Sequence, residues 1–297
     1  MRTVRIALFI FLTLAAVGCS AQINHTLDSI RVVDAEWRTD SLDGFLLKRY
    51  HFGEGSLFCS AQNLCLIEIP AGSPRRLAFT YDTVLTEVSA LAERHGAFAA
   101  VNGSYFDMDL GNPICYLRID GQQVGENTPG KEDSVNRKYY QYATLALRDG
   151  RPQLLVPDSS RFWEEGMTCG NVMTAGPMLL RKGELVPQRD DRTFVTHRHN
   201  RTALGIRPDG TTLLLVADGR FKHKAEGLSL NELELVMRWL GCCDAINLDG
   251  GGSSTMYVHE NPQAERSTLN GVVNHPSDNR NWDREGERPV SNAIIVL

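Results

Sequence analysis

The residues with the clearest chemical potential lie in residues 244–258, which read DAINLDGGGSSTMYV. A short apolar run ends on Asp249, and three glycines and two serines follow it directly. Consecutive glycines remove side chains where a chain turns tightly or where a ligand approaches the backbone closely. The pattern therefore predicts a carboxylate at the end of a strand, beside a glycine-lined wall. A flexible hairpin tip is the alternative interpretation of the same residues.

Three further segments repeat this design, in which polar side chains follow an apolar run. They are residues 102–107, residues 197–202 and residues 218–220. If all four strand ends meet, one pocket combines carboxylates, two arginines, amides and hydroxyls. Arginine makes bidentate hydrogen bonds to phosphate or carboxylate oxygens, and glycine-rich turns bind anions through backbone N–H groups. Paired carboxylates are the groups that sugar-transfer chemistry requires. The combination predicts a site for a sugar and an anionic group, although each segment alone is also typical of an ordinary turn.

These motifs resemble the phosphodiester glycosidase family. The resemblance rests on NGSYF at 102–106, NRTALG at 200–205, DGR at 218–220 and NLDGGGSS at 247–254. It extends to VNHPSD at 273–278 and RPVSNA at 288–293, and it covers residues 97–297. The resemblance implies cleavage of a sugar-1-phosphodiester, such as an N-acetylglucosamine-1-phosphodiester, between the anomeric carbon and the phosphate oxygen. Because phosphate is a good leaving group, the demand on a general acid is modest.

The resemblance implies a role for the polar residues of these motifs. Asp249 is the leading catalytic carboxylate, as base or nucleophile, and Asp218 is its partner or holds sugar hydroxyls. Arg201 and Arg220 clamp the phosphate, while Arg288 reaches the site only if the polar loop before it folds back. The other residues implied to bind substrate are Asn102, Gly103, Tyr105, Phe106, Asp107, Thr202, Gly219, Asn247, Gly250, Gly251, Gly252, Ser253 and Ser254.

Some of these residues have alternative interpretations. Asn102 and Asn247 are expected to orient the sugar. Tyr105 or Phe106 is expected to lie under the sugar ring, although an aromatic residue at a strand end is equally typical of plain core. The case for Asp107 is the weakest, because this residue lies directly after the NGSYF motif and is not part of it.

No cofactor follows with certainty from the sequence. A divalent cation held by Asp218 and Asp249 fits an oxygen-rich site, so metal dependence stays open. His197 and His199 form a His-x-His pair, but they lack a third clear ligand and are better explained as hydrogen-bonded side chains.

Residues 1–18 have the pattern of a lipoprotein signal peptide. Arg2 and Arg5 precede an apolar run that is shorter than the roughly 20 residues needed to span a bilayer. Residues 16–19 resemble a lipobox that ends on Cys19, the expected lipidation site, and an ordinary secretory signal is the alternative. Residues 19–30 then form a tether. The expected location is the bacterial cell envelope, lipid-anchored, on the periplasmic side or the outer surface.

Charge and cysteine content limit the partners. A formal net charge of −5 disfavours nucleic-acid binding, so the expected partner is a carbohydrate or a sugar phosphate. No other apolar run is long enough for a membrane helix, so a lipid anchor alone would hold the protein at the membrane.

Disulfides form in exported compartments, and Cys59 with Cys65 is the expected local pair. The sequence does not determine how the remaining cysteines pair.

The apolar patterns along the chain predict an α+β fold, with a mixed, mainly antiparallel β-sheet core flanked by a few helices. These strands and helices must position the polar residues described above. Residues 31–80 form a strand-rich N-terminal part, and residues 81–297 form the catalytic domain. Residues 211–217 are nearly all apolar, so they predict a central strand covered on both faces, and residues 208–210 form the preceding hairpin turn. Further strands are expected at 30–33, 45–50, 56–59, 64–69, 98–101, 143–147, 153–156, 171–180, 204–206, 255–258 and 290–297.

Two helices have clear signals. Residues 229–240 begin with a Ser229–Glu232 capping box and end at Gly241. Residues 83–95 place Val84, Val88 and Leu91 on one face. A short helix is expected to begin at residues 162–163, and residues 125–139 and 259–288 are expected to form long polar loops.

The expected function is that of an exported hydrolase acting on sugar-1-phosphodiesters or on a related linkage of an envelope or dietary glycan. A glycan-binding lipoprotein without catalytic activity is one alternative. A phosphodiesterase that cuts the P–O bond is the other, because it would use the same arginines.

Overall fold

The computed structural model describes residues 25–130, 137–158, 162–188, 192–259, 261 and 271–297. The predicted signal peptide, Cys19 and the first part of the predicted tether lie outside these residues, as do parts of both predicted polar loops. Within the described ranges, four α-helices flank three antiparallel β-sheets. This architecture confirms the α+β fold class expected from the sequence.

The helices and strands alternate irregularly along the chain. The helices are α1 (His25–Val33), α2 (Val88–Arg94), α3 (Thr193–Thr196) and α4 (Leu230–Trp239). The first nine strands are β1 (Arg38–Leu42), β2 (Phe45–Leu57), β3 (Ser60–Ile69), β4 (Leu77–Thr86), β5 (Ala99–Asn102), β6 (Leu117–Ile119), β7 (Gln122–Gly125), β8 (Ala143–Arg148) and β9 (Arg151–Leu155). The others are β10 (Asn171–Ala175), β11 (Met178–Arg181), β12 (Glu184–Leu185), β13 (Arg201–Ile206), β14 (Thr212–Ala217), β15 (Asp244–Asn247), β16 (Met256–Val258) and β17 (Val290–Val296).

Three sheets enclose one central core. The largest has the strand order β1-β2-β3-β14-β13-β15-β11-β12, and the other two have the orders β7-β6-β10-β8-β9 and β16-β5-β17-β4. Ile67, Val101 and Leu145, one from each sheet, are fully buried in the shared apolar core. Because successive side chains of a strand point to opposite faces, each sheet also has an outer face to cover. Helix α4 covers the large sheet, and α2 covers the β16-β5-β17-β4 sheet.

Strand β14 lies fourth in the eight-stranded sheet, between β3 and β13. Leu214 and Val216 face the central core, whereas Leu213 and Leu215 pack in the layer that contains α4. The predicted central strand with both faces covered is therefore confirmed. Its hairpin with β13 is also confirmed, with Arg201 opposite Ala217.

Helix α4 begins and ends where the sequence predicts. The Glu232 N–H donates to Ser229 Oγ (3.2 Å), and the Ser229 N–H donates to Glu232 Oε2 (2.9 Å). These bonds satisfy backbone donors that the first helical turn leaves free. Gly241 ends the helix with a φ of +88°, which glycine adopts without strain.

Two predicted elements at the N-terminal end are wrong. Residues 30–33 belong to α1 rather than to a strand, because a four-residue apolar run fits either period. The predicted helix at 83–95 begins only at Val88, because β4 pairs with β17 as far as Thr86. Val84 is consequently 69% exposed and does not face the core.

The predicted strand at residues 171–180 is two strands in two different sheets. β10 ends at Ala175 in the five-stranded sheet, and β11 begins at Met178 in the eight-stranded sheet. Gly176 and Pro177 form the connection between them. Proline has no N–H to contribute to a ladder, which is consistent with a break in the strand at this point.

The expected disulfide between Cys59 and Cys65 is wrong, since all six cysteines of the described residues are free thiols. Cys65 is buried within β3, and Cys59 directly precedes that strand. Six residues of extended chain span roughly 20 Å, far beyond the reach of one disulfide. Within the same ranges, no helix has both the length and the apolar character that a bilayer crossing demands.

Candidate active site

Three neighbouring strands bring the predicted polar segments to one edge of the large sheet. β14 leads into Asp218 and β15 leads into Asp249, whereas β13 runs antiparallel to both and begins at Arg201. The end of one strand therefore lies beside the start of the next. The antiparallel register explains why motifs far apart in the chain converge here.

Asn102, the last residue of β5 in the four-stranded sheet, links that sheet to these strand ends of the large sheet. Its Nδ2 donates to the backbone oxygen of Asp249 (2.8 Å), and its Oδ1 accepts from Thr202 Oγ1 (2.7 Å). The Thr255 N–H lies 3.3 Å from the same oxygen. The buried amide of Asn102 therefore positions the backbone at Asp249, and Thr202 supports it in turn.

A second buried network lies directly below Asp249. Asn247 Nδ2 donates to the Tyr105 hydroxyl (2.7 Å) and to the Gly176 oxygen (3.0 Å). The Tyr105 hydroxyl lies 3.0 Å from the Leu248 oxygen. These hydrogen bonds hold the end of β15 in place. The Asp249 side chain follows just after that strand end and takes no part in them.

Asp249 has the electrostatic character expected of a catalytic carboxyl. Its Oδ1 accepts the Gly250 N–H (2.8 Å), and its side chain keeps partial exposure to solvent. Burial raises the pKa of the Asp249 carboxyl to about 6, although hydrogen bonds from Ser253 and Gly250 and the charge of Arg288 act in the opposite direction. A carboxyl with this pKa changes its protonation state within the range used by acid–base catalysts.

A cavity of about 340 Å³, named here the arginine pocket, lies beside the glycines that follow Asp249. It is lined by Arg220, Phe221, Ser277, Asp278, Arg280 and Arg288. Three guanidinium groups face a single carboxylate, so the pocket has a positive charge in a protein of negative net charge. Within the described ranges, the Arg220 and Arg280 side chains are exposed and donate no hydrogen bond to a protein acceptor. This arrangement suits a phosphate or carboxylate ligand.

Arg288 reaches the site because the end of the polar loop folds back over it. Its Nε donates to Asp278 Oδ1 (2.8 Å), and its Nη2 donates to the same oxygen. Asp278 had no role in the sequence analysis, although it belongs to the VNHPSD segment. Its ion pair fixes the direction of the Arg288 guanidinium.

The three glycines after Asp249 make room for these side chains. A Cβ atom on Gly251 would lie 2.8 Å from Arg220 Nη2, and one on Gly252 would overlap with Arg288 Nη2. A Cβ on Gly250 would lie 2.8 Å from the Asn200 oxygen. The glycine wall therefore allows two guanidinium groups to approach the backbone beside the Asp249 carboxyl.

Gly252→Ala is expected to lower kcat/KM by about tenfold or more, because misplaced positioning groups cost rate steeply. The new methyl group would displace the ends of the Arg288 and Asp278 side chains, which are flexible, so the melting temperature should change little. Steady-state kinetics and thermal unfolding measure both quantities. Gly53→Ala is the control, because nothing lies within 4 Å of its Cβ position. Wild-type kinetics in Gly252→Ala would contradict this role.

Asp218 is fully buried and its oxygens are occupied by protein donors. Oδ2 accepts from Asn63 Nδ2 (2.8 Å), and Oδ1 accepts from Asn274 Nδ2 (2.9 Å). The His275 N–H donates to Oδ2 (3.0 Å), and His275 Nδ1 lies 3.1 Å from the same oxygen. These contacts favour a positioning role for Asp218, which holds the loop that carries the arginine pocket. A direct catalytic role for Asp218 stays a prediction.

Residues of this loop were missed as functional candidates. His275 stacks on Trp282 with ring centroids 3.7 Å apart, and Trp282 contacts Phe221 of the arginine pocket edge-on. The VNHPSD motif was the available signal, but a motif alone does not show which of its residues contact the site.

Arg201 is only 2% exposed, and two of its nitrogens bind backbone oxygens. Nε donates to Leu228 (2.8 Å), and Nη2 donates to Phe194 (2.8 Å) and His197 (3.0 Å). Burial lowers the pKa of Arg201 to about 10. This geometry favours a role in fixing these segments, while the phosphate contact expected for Arg201 stays a prediction.

The remaining predicted residues lie in varied surroundings. Phe106 packs in the core below α2, and the Asp107 carboxylate accepts the backbone N–H groups of Asp109 and Leu110 (2.9 Å each). Gly103, Gly219, Ser253 and Ser254 lie close to neighbouring backbone or are buried. His199 is half-buried, and burial with nearby positive charges lowers its pKa to about 4.

A second cavity of about 520 Å³, named here the aromatic pocket, was not foreseen. Its lining includes Tyr139, Tyr140, Phe194, Lys138 and Arg192. The Tyr105 ring lies 4.5 Å from the Tyr140 ring, and its hydroxyl lies beside the strand end that leads into Asp249. Aromatic faces of this kind suit the apolar face of a sugar ring.

In the part of the chain that the structure describes, no three His, Cys, Asp or Glu side chains group closely enough to hold a metal ion. The sequence left open an ion between Asp218 and Asp249, but the Asp218 oxygens already accept hydrogen bonds from Asn63, Asn274 and His275.

The model of the phosphodiester glycosidase family matches residues 95–297, more than half of the chain. The chain therefore belongs to the phosphodiester glycosidase family, as the sequence motifs indicated.

Solved structures share the fold at low sequence identity. The catalytic domain of zebrafish N-acetylglucosamine-1-phosphodiester alpha-N-acetylglucosaminidase, auto-inhibited by its pro-peptide, has a TM-score of 0.64 and 19% identity, over 88% of this chain and 87% of that one. A hypothetical protein from Synechocystis has a TM-score of 0.58 and 14% identity, over 88% of this chain and 63% of that one.

A shorter match links the chain to a protein without an assigned activity. The SPbeta prophage-derived uncharacterized protein YomE of Bacillus subtilis is 39% identical over 61 residues. The match spans 20% of this chain and 9% of YomE.

Proposed function

We propose that this protein hydrolyses sugar-1-phosphodiesters at the bond between the anomeric carbon and the phosphate oxygen. The observation that carries the proposal is the position of Asp249, a carboxyl with a raised pKa, beside a pocket with three arginines. The zebrafish enzyme that shares the fold is named for N-acetylglucosamine-1-phosphodiester, so that compound is the first substrate to test.

The charges suggest how the reaction proceeds. Arg220 and Arg288 neutralise the phosphate, which makes it a better leaving group and stabilises the charge that develops on its oxygen. Ionised Asp249 stabilises the oxocarbenium-like centre, either by attacking it or by activating water. No strong general acid is required, because the leaving group departs as a stable phosphomonoester anion. The aromatic pocket is available for the sugar ring on the side of Tyr105.

The pH dependence of kcat/KM follows from Asp249. Its carboxyl must be ionised to act as base or nucleophile, so kcat/KM should fall about tenfold per pH unit as the pH drops below about 6. A phosphodiester stays ionised over this range and adds no transition. A pH profile measured between about pH 4 and about pH 8 tests the prediction, and a profile that stays flat down to about pH 4 would contradict it.

A substrate panel tests the proposed activity. The purified protein is incubated with sugar-1-phosphodiesters that differ in the sugar and in the aglycone, and the products are identified by mass. The proposal expects release of free sugar and a phosphomonoester. A glycan-binding protein without catalysis would bind members of the panel, detectable by calorimetry, and leave all of them intact.

We propose further that the protein is exported and anchored to the bacterial envelope by a lipid on Cys19. The support is the sequence pattern of residues 1–19. Cys19→Ala should move the protein from the membrane fraction to the soluble fraction, and fractionation after labelling with a radioactive fatty acid measures this. Membrane association that persists unchanged without Cys19 would contradict a lipid anchor.

A further inference from the structure

A second basic cavity borders the C-terminal loop. Its volume is about 340 Å³, and it is named here the strand-edge pocket. The lining residues that matter most are Arg38, Arg49, Tyr50, Asn63, His275 and Arg284. Four of these come from β1, β2 and β3, which precede the residues matched by the family model.

The strand-edge pocket is joined to the candidate active site through Asp218. Asn63 and His275 line the pocket, and both donate hydrogen bonds to the Asp218 carboxylate. Gly219 and Arg220 follow Asp218 directly, and Arg220 lines the arginine pocket. Residues of the segment 273–288 also line both pockets, so the same loop borders the two.

Positive charge exceeds negative charge at the strand-edge pocket. Arg38, Arg49 and Arg284 line it together with one carboxylate, Glu36. Arg49 Nη2 donates to Asp40 (3.0 Å), which neutralises part of this charge. The remaining excess is unusual in a protein with a net charge of −5.

Protein acceptors satisfy the Arg49 guanidinium group only in part. Its Nε is buried and has no hydrogen-bond partner among the described residues. Buried donors are normally paired, so the protein leaves part of the hydrogen-bonding capacity of this guanidinium group unused. Burial lowers the pKa of Arg49, and the charge of Arg284 acts in the same direction. An anion bound between the Arg49 and Arg284 guanidinium groups would offset the cost of burying Arg49. It would also offset the repulsion between Arg49 and Arg284.

We propose that the strand-edge pocket binds a second phosphate of the substrate, so that the enzyme acts on glycans with successive phosphodiesters. This inference rests on the proposed function and names its substrate class. Tyr50 lines the same pocket with an aromatic ring, which offers a face to the sugar between two phosphates. The arginine pocket then holds the phosphate of the bond that is cleaved, and the strand-edge pocket holds the next one.

Three synthetic probes test this inference. The first is a sugar-1-phosphodiester with a methyl aglycone, the second carries one further glycosyl phosphate, and the third carries a uronic acid instead. The wild-type KM should be about tenfold lower for the second probe than for the first, as expected for one added charged contact. The double variant Arg38→Ala/Arg49→Gln should lose this advantage and keep the wild-type KM for the methyl probe.

Arg181→Ala is the matched control, because Arg181 is an exposed arginine at the opposite side of the same sheet. It should keep the advantage of the second probe. Arg38→Ala alone should lose part of the KM advantage of the second probe. Because the Arg38 side chain is exposed, misfolding would not explain that loss. Equal KM values for the first two probes in the wild-type protein would overturn the inference, as would an advantage confined to the uronic acid probe.

Calorimetry separates this inference from the proposed reaction. The Asp249→Asn protein should bind the second probe about tenfold more tightly than the first, whether or not the wild-type protein cleaves either. If the preference persists and no probe is cleaved, the proposed reaction fails while the second phosphate site is supported. If the first probe is cleaved and no preference exists, the reaction is supported and the second site is overturned.

Discussion

Asp249→Asn is expected to lower kcat by about 10³-fold, within the range found when a group that transfers protons in the transition state is removed. The amide keeps the shape of the side chain but cannot act as base or nucleophile. The Gly250 N–H and Arg288 would remain in place, so substrate binding should change little. The melting temperature should not fall, because burial disfavours the ionised form of Asp249 and the neutral amide removes that cost.

The control for this experiment lies at the other end of the same strands. Asp209 sits in the turn between β13 and β14, where its carboxylate accepts the Thr211 N–H (2.9 Å). Asp209→Asn makes the same chemical change about one strand length from the site and should keep wild-type kinetics. Steady-state assays on the best substrate of the panel compare the two variants. Similar kcat values in Asp249→Asn and in the wild-type protein would remove Asp249 from the mechanism.

Glu164→Gln is expected to lower the free energy of unfolding by about 3–5 kcal/mol, as found when one partner of a buried ion pair is removed. Glu164 and Arg137 are both fully buried, and Arg137 donates to the carboxylate through Nη1 (2.8 Å) and Nη2 (2.7 Å). Thr144 and Thr174 also donate to it (3.0 and 2.8 Å). Without the carboxylate, the Arg137 charge would stay buried with weaker compensation.

Urea unfolding measures this change, and Glu165→Gln is its control. Glu165 is the adjacent residue and is exposed, so its variant should stay within about 0.5 kcal/mol of the wild-type protein. The ion pair also has a functional consequence. It anchors the chain that carries Tyr139 and Tyr140, so Glu164→Gln should weaken the aromatic pocket together with the fold. Equal stability of the two variants would contradict the assigned importance of the buried pair.

The long periodic elements of the fold could be predicted from the sequence. β14 was identified because its run of apolar residues required cover on both faces, and α4 because its cap and its terminating Gly241 are local signals. The failure at residues 30–33 has a simple physical cause. Over four or five residues, as at 30–33, helical and strand patterns are equivalent, and tertiary packing decides between them. The order of strands in the three sheets depends on that packing and was not available from local patterns.

The location of the candidate site could also be predicted, but the contacts of its residues could not. Segments that end in Asn102, Asp218 and Asp249 do converge. Asn102 nevertheless binds the protein's own backbone, and the Asp218 oxygens are occupied by other side chains. Residue types that bind ligands also bind the scaffold, so the sequence does not separate these two uses. Asp278 and the aromatic pocket come from long loops, whose paths have no periodic signal.

The measurement that tests the central claim most directly is hydrolysis in heavy-oxygen water. A sugar-1-phosphodiester is cleaved by the purified protein, and mass spectrometry locates the heavy oxygen in the products. Cleavage between the anomeric carbon and the phosphate oxygen, with Asp249 acting at that carbon, predicts the label on the C1 hydroxyl of the sugar. Label on the phosphate would contradict the glycosidase mechanism and would show instead that water attacks phosphorus.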